Sequence, residues 1–185
     1  MIIVEGPDGA GKTTLISALT ERFNLSVAPR VVSKDAEAMV DLKTWVEENL
    51  AGGFQYKIFD RHRMISEFIY GPILRKEQQP GFSGPNWVMY RMSQFVQIDP
   101  IVIYCLPPLE VVKQNIAGDE DNRVVWDHIE GIYTAYLHRA AIDNAHSGFR
   151  TIIYDYTTDG QETDPLAVFN PVINYAQGRA EYEQL

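Results

Sequence analysis

Eight consecutive residues, Gly6-Pro7-Asp8-Gly9-Ala10-Gly11-Lys12-Thr13, narrow what this 185-residue chain can fold into more than any other feature. They fit the pattern G-x-x-x-x-G-K-[ST] without a mismatch. At an ordinary glycine content, a chance match in a chain this long is on the order of one in a hundred. The flanks sharpen the reading. Ile2-Ile3-Val4 has the character of a buried strand, and Leu15, Leu19 and Phe23 recur at helical spacing. A strand that turns through glycines into a helix aims backbone N–H groups and the positive helix end at one point, which is a geometry that captures phosphate. Lys12 would set a cation on the β- and γ-phosphates of a nucleoside triphosphate, and the Thr13 hydroxyl would face Mg²⁺. Gly6, Asp8, Gly9, Ala10, Gly11, Lys12, Thr13 and Thr14 are therefore the expected nucleotide-binding residues, with ATP and Mg²⁺ as cofactors.

The remaining pattern supplies the frame for that loop. Apolar β-branched runs fall at residues 1–5, 27–32, 56–60, 101–105 and 151–155. Four are continuous rather than alternating, as parallel strands buried on both faces require. The run at 27–32 contains Pro29, which suits a sheet edge. Helical spacing occupies 12–23, 36–50, 86–96, 108–116, 124–145 and 165–177, the last interrupted near Pro171. Strands alternating with helices predict a three-layer α/β fold, with a mainly parallel five-stranded sheet flanked by helices. Residues 80–85 read as a loop, too short for a domain linker, and a flap over the site is expected at about 76–86. No repeat is visible, and one domain over 1–185 is expected.

Charge limits the partners. The formal net charge is −9, whereas proteins that grip duplex nucleic acid nonspecifically are basic. The charge is uneven, however. Between Arg61 and Arg91, five cations (Arg61, Arg63, Arg75, Lys76, Arg91) face Glu67 and Glu77, a local +3 that leaves −12 elsewhere. That balance points to a small anionic substrate. No apolar run approaches the roughly 18 residues of a membrane span, and no cationic leader with a cleavage site is visible. Cys105 has no partner for an internal disulfide, which fits a reducing, cytoplasmic compartment. His62, His128, His138 and His146 lack metal-ligand spacing. Cys105 and the three tryptophans, Trp45, Trp87 and Trp126, are expected to pack in the core or between helices.

A phosphate loop of this kind serves motors, switches and kinases alike. The chain is small for a motor, and the expected fourth strand with its exit, residues 101–108, lacks the Asn-Lys-x-Asp that reads guanine in switches. A kinase is favoured. The sequence resembles the thymidylate kinase family, within the wider group of nucleotide and deoxynucleoside kinases. The resemblance rests on Glu5 to Thr14, on Phe59-Asp60-Arg61-His62 at the end of the third strand, and on Asp99-Pro100 with Leu106-Pro107-Pro108-Leu109-Glu110-Val111. It covers about residues 1–155. Ser66 lies one position further from Asp60 than the usual family serine. The expected lid, about 113–127, offers only Lys113 and Arg123, where the family carries several arginines. Phage-type members that phosphorylate a hydroxymethylated pyrimidine in DNA share the same core motifs.

The resemblance implies transfer of the γ-phosphoryl of MgATP to a pyrimidine deoxynucleoside monophosphate. The alternatives are a 5-hydroxymethyl-pyrimidine in DNA, which would bring in nucleic acid as a partner, a deoxynucleoside, or a non-catalytic nucleotide switch. It assigns Arg61 to the acceptor phosphate, with a structural ion pair as the alternative, and Asp8 to the acceptor sugar, with a plain turn aspartate as the alternative, and it suggests a homodimer. Asp60 could hold Mg²⁺, take a proton from an attacking hydroxyl, or cap a helix. Arg91 and Gln94, one helical turn apart, could read a pyrimidine edge or sit in solvent. Arg123 is the lid candidate, with a surface arginine as its alternative. Asp155 lies in a loop resembling the adenine-contacting one and is expected to cap.

Overall fold

Every residue of Ile2–Glu5 is buried, as an apolar run with neighbours on both sides should be, and this strand, β1, lies mid-sheet. The computed structural model describes residues 1–28, 57–75, 100–118, 123–145 and 150–158, without the side chains of Arg63, Met64 and Arg75. The other strands are β2 (Ser26–Val27), β3 (Lys57–Asp60), β4 (Ile101–Cys105) and β5 (Arg150–Tyr154). Their order is β2-β3-β1-β4-β5, and every pairing is parallel. From β1 the chain builds one half of the sheet, then crosses to build the other. Loops at the carboxyl ends of β1, β3 and β4 therefore converge on the reversal point, where open α/β sheets bind ligands.

Successive strand residues face opposite sides, and two helical layers cover them. One layer contains α1 (Lys12–Phe23) and α3 (Leu109–Ile116); Leu15, Leu19, Val112 and Ile116 pack there with Ile2, Val4, Ile58, Ile101, Ile103 and Cys105. The other contains α2 (Arg63–Tyr70) and the body of α5 (Ile129–Ala145). There Ile65, Ile69, Ile132 and Tyr136 meet Ile3, Phe59, Val102 and Tyr104. Each fully buried isoleucine contributes about 1.5–3 kcal/mol. The three-layer fold, the parallel sheet and the edge position of β2 agree with the sequence pattern.

Four features differ from it. Helix α2, which continues as a π-helical turn over Gly71–Arg75, was not expected. The segment has only two turns before Gly71-Pro72, and Pro72 has no N–H for the helical ladder. The helix expected over 124–145 is two: α4 (Arg123–Trp126) and α5. His128 N donates to the Val125 carbonyl three residues back, at 3.1 Å, which closes a tight turn between them. Trp126 ends α4 at 40% exposure rather than packed. Strand β5 lies at an edge, with Ile153 facing solvent, and is not buried on both faces. The helices expected over 36–50, 86–96 and 165–177, the flap at 76–86, Trp45 and Trp87 lie outside the described residues. No helix among the described residues is long and apolar enough to cross a membrane.

Candidate active site

The loop between β1 and α1 has the backbone its glycines permit. Gly6, Gly9 and Gly11 have φ of 141°, 76° and 80°. A side chain at Gly6 would place Cβ 2.5 Å from the Cys105 carbonyl oxygen, so only glycine lets the loop pass the end of β4. Gly11 stands at the N-cap of α1 without a side-chain cap, which leaves the first N–H groups of the helix for a ligand. The buried Lys12 side chain folds back over the loop, and its Nζ donates to the Pro7 carbonyl at 2.6 Å. Burial above all, and then the Arg61 cation, lower the Lys12 ammonium to about 7. An anionic phosphate at this point would restore its charge. Thr13 and Thr14 are exposed in the first turn of α1.

On one flank of the loop stands a charged cluster. Asp60 ends β3 in register with Val4 of β1, beside the loop, and its field acts on Lys12. The next residue, Arg61, adopts a left-handed backbone with φ 64°, rare for a side chain of this size, while its N–H still donates to the Val4 carbonyl at 2.9 Å. Such a conformation costs on the order of 1–3 kcal/mol and persists where surrounding contacts impose it. Here those contacts are dense. Arg61 Nη2 donates to Asp8 Oδ1 and to Tyr70 Oη, both at 2.7 Å, and its guanidinium lies 4.7 Å from the Tyr70 ring centroid. Tyr70 Oη in turn donates to Asp8 Oδ2 at 2.9 Å. Burial alone would raise the Asp8 carboxyl, but Arg61 and Lys12 outweigh it and hold it below the usual carboxylate range. Among the described residues, the buried Arg61 Nε has no hydrogen-bond partner.

Beneath this cluster lies a second, fully buried layer. Glu5 Oε1 accepts the His62 N–H at 2.6 Å, and Oε2 accepts the Tyr136 hydroxyl at 3.0 Å. Burial raises the Glu5 carboxyl to about 7 and lowers the His62 ring to about 3. Tyr136 meets Tyr70 edge-on at 6.1 Å, joining the two layers. The carbonyl of His62 starts α2, accepting from Ile65 and Ser66, so His62 and not Asp60 occupies the cap position.

The opposite flank is neutral. Asn115 Nδ2, on the last turn of α3, donates to the Gly9 carbonyl and to Tyr156 Oη, both at 2.8 Å. A cavity of about 550 Å³ separates Ile73, three residues beyond Tyr70, from a wall of Lys113, Trp126, His128 and Glu130.

The structure thus gathers Gly6, Asp8, Gly9, Ala10, Gly11, Lys12, Asp60 and Arg61 around one loop. Arg123 is exposed at the start of α4, and no contact among the described residues ties its side chain to that loop. Lys113, the other lid cation, pairs with Glu130 at 2.7 Å and Glu110 at 3.6 Å. Asp155 caps as expected, accepting from the Thr157 N–H and hydroxyl. Arg91 and Gln94 lie outside the described residues. Sequence reading missed Tyr70, Tyr136 and Asn115, and gave Glu5 and Tyr156 no task. Glu5 carried a signal, as a charge inside an otherwise apolar strand.

No protein-family model matches the chain, and neither does any curated protein. Solved structures do. The YorR protein from Bacillus subtilis, in complex with phosphorylated GDP, is 17% identical over 97% of each chain, with a TM-score of 0.62. A deoxyadenosine kinase from M. mycoides with bound dCTP is 14% identical, over 96% of this chain and 100% of that one, with a TM-score of 0.58. The same enzyme with dATP gives 17% identity, 94% and 97% coverage and a TM-score of 0.51. The fold is the P-loop kinase fold. Agreement extends over nearly the whole length of each chain, so the sheet and its helical layers form a shared scaffold.

Proposed function

We propose that this protein is an ATP-dependent phosphotransferase whose acceptor is a pyrimidine deoxynucleoside monophosphate, with residues 1–185 acting as one catalytic domain. The observation that carries the reading is Arg61. Its cation is held beside the phosphate loop on a strained backbone, it engages Asp8 and Tyr70 through Nη2 alone, and its buried Nε–H has no acceptor among the described residues. An unsatisfied buried donor costs about 1–3 kcal/mol, and phosphate, like carboxylate, is an acceptor that a guanidinium fork fits.

The chemistry follows from the residues. Loop amides and Lys12 hold the β- and γ-phosphates, and Lys12 exchanges the Pro7 carbonyl for phosphate oxygen. Arg61 binds the acceptor phosphate and brings one of its oxygens in line with the γ-phosphorus. The new O–P bond forms as the bond to the β–γ bridging oxygen breaks, leaving ADP and a deoxynucleoside diphosphate. The attacking oxygen is already anionic, so no base is required. The Thr13 hydroxyl and the Asp60 carboxylate are hard oxygen donors of the kind Mg²⁺ takes alongside nucleotide phosphates; bound there, the ion neutralises charge on the transferring group.

A second reading, a deoxynucleoside acceptor, is favoured by the likeness to the deoxyadenosine kinase. It would make Asp60 the base for a hydroxyl proton. ADP release with MgATP against deoxynucleoside monophosphates, their nucleosides, and DNA with or without 5-hydroxymethyl pyrimidines separates the readings. Turnover with a pyrimidine monophosphate is expected. Turnover with nucleosides alone, or with modified DNA alone, would overturn that acceptor and move the catalytic burden to Asp60.

A further inference from the structure

Phosphate loops bind by turning their N–H groups inward, which turns some carbonyls outward, and an outward carbonyl must be held if the peptide is not to flip. In this chain Gly9 is such a residue. Its φ of 76° is one that only glycine adopts freely, and α3 crowds it: a Cβ there would lie 2.6 Å from Ile116 Cγ2 and 2.9 Å from the Val112 carbonyl. Asn115 takes the Gly9 carbonyl with one amide hydrogen and gives the other to the Tyr156 hydroxyl, each at 2.8 Å. The Tyr156 ring then closes over Gly11, its Cε1 2.8 Å from where a Cβ would be. Two elements remote in sequence, the end of α3 and the turn after β5, thus grip the loop at Gly9 and Gly11, each with one side chain.

We infer that Asn115 and Tyr156 are positioning residues that fix the Gly9–Gly11 backbone in its phosphate-binding form. The inference rests on the nucleotide-binding part of the proposed function and deepens it. The pair acts on the loop and not on the nucleobase, so its removal should weaken ATP, GTP and inorganic tripolyphosphate alike.

The test measures binding of these three ligands, each with Mg²⁺, to the full chain by titration calorimetry, beside thermal unfolding and steady-state kinetics. Asn115→Leu keeps size and removes both hydrogen bonds, each of which normally contributes about 1 kcal/mol, so all three ligands should bind about tenfold more weakly. Tyr156→Phe keeps the ring over Gly11 and removes one bond; a loss of about three- to fivefold is expected for all three. Gln114→Leu, on the exposed neighbour, should bind as wild type. The KM of the acceptor should not move in either variant. A loss confined to ATP would make the pair a base-reading device and overturn the inference, as would binding within twofold of wild type by a variant that melts normally. If Asn115→Leu does not fold, Tyr156→Phe decides by the same criteria. A wild type that binds none of the ligands overturns both proposals, whereas one that binds but transfers nothing overturns only the kinase.

Discussion

The two flanks of the phosphate loop are built from opposite materials. On one, Asp8, Arg61 and Tyr70 form a half-buried charged cluster over a second layer of Glu5, His62 and Tyr136 that no solvent reaches. On the other, an exposed amide gives one neutral hydrogen bond to the Gly9 carbonyl and a second to a phenol. Charge in a low-dielectric setting makes strong, directional contacts but costs desolvation and follows pH. Neutral contacts at a surface are weaker and nearly indifferent to pH. The charged flank is therefore suited to discriminate an anionic acceptor, and the neutral one to keep a loop in shape while a large anion comes and goes.

Lys12 lies in the loop itself, where the charged cluster acts on it, and its loss should be the largest. Lys12→Ala is expected to lower kcat roughly 10²–10³-fold, the usual cost of deleting one preorganised donor to developing charge, with the fold intact because, among the described residues, the side chain hydrogen-bonds only to its own loop. Unchanged turnover with a normal melting curve would remove the loop from the chemistry. The next effect belongs to stability. Glu5 moves from 4.5 to about 7 on folding, so between those values the folded chain holds a proton that the unfolded chain releases. Its stabilising contribution is whole below pH 4.5 and is lost as pH rises to about 7. At 1.36 kcal/mol per pH unit, the loss is on the order of 3 kcal/mol. Glu5→Gln has no proton to lose and should gain that much on the wild type between pH 4.5 and 8. His62 opposes Glu5, because its lowered ring destabilises the fold as pH falls below 6.5, but it is present in both proteins and cancels. Urea midpoints at pH 5 and 8 measure the gap, and a constant gap would break the picture of a buried, ionising underlayer.

What could be read in advance follows the same division. The phosphate loop, α1, the parallel sheet and the edge placement of β2 were legible because they rest on local spacing and on continuous apolar runs. Asp60 and Arg61 were legible as a motif, but not the left-handed backbone at Arg61, which tertiary contacts to Val4, Asp8 and Tyr70 impose. Tyr70 was hidden because α2 is only eight residues long and gives way to a turn at Pro72. Asn115 and Tyr156 were hidden because their task exists only between segments 41 residues apart, each unremarkable alone.

Arg61→Ala isolates the charged flank. It should lower kcat/KM for the monophosphate about a hundredfold, within the range of a lost hydrogen bond to a charged group, while MgATP binds within about threefold of wild type. Arg61→Lys keeps the charge but not the fork and should recover only part of the loss. A parallel fall in MgATP affinity would mean that the two flanks are one unit, and the contrast between them would fail.

The smallest change is also the most direct comparison, because each flank has a tyrosine hydroxyl that can be removed without its ring. Tyr70→Phe takes the hydroxyl that Arg61 donates to and Asp8 accepts from, and leaves the ring under the guanidinium. Asp8 and Arg61 still have each other at 2.7 Å, so the cation stays in place but loses one of the bonds that aim it. The acceptor KM should therefore rise about five- to tenfold, the effect of one or two bonds to charged partners offset by the remaining pair, with kcat and MgATP affinity near wild type. Tyr156→Phe should show the reverse pattern, moving every phosphate ligand of the loop and leaving the acceptor alone. If the two variants gave the same profile, Tyr70 would be bracing the loop as Tyr156 does, and the acceptor's phosphate would have to be sought elsewhere.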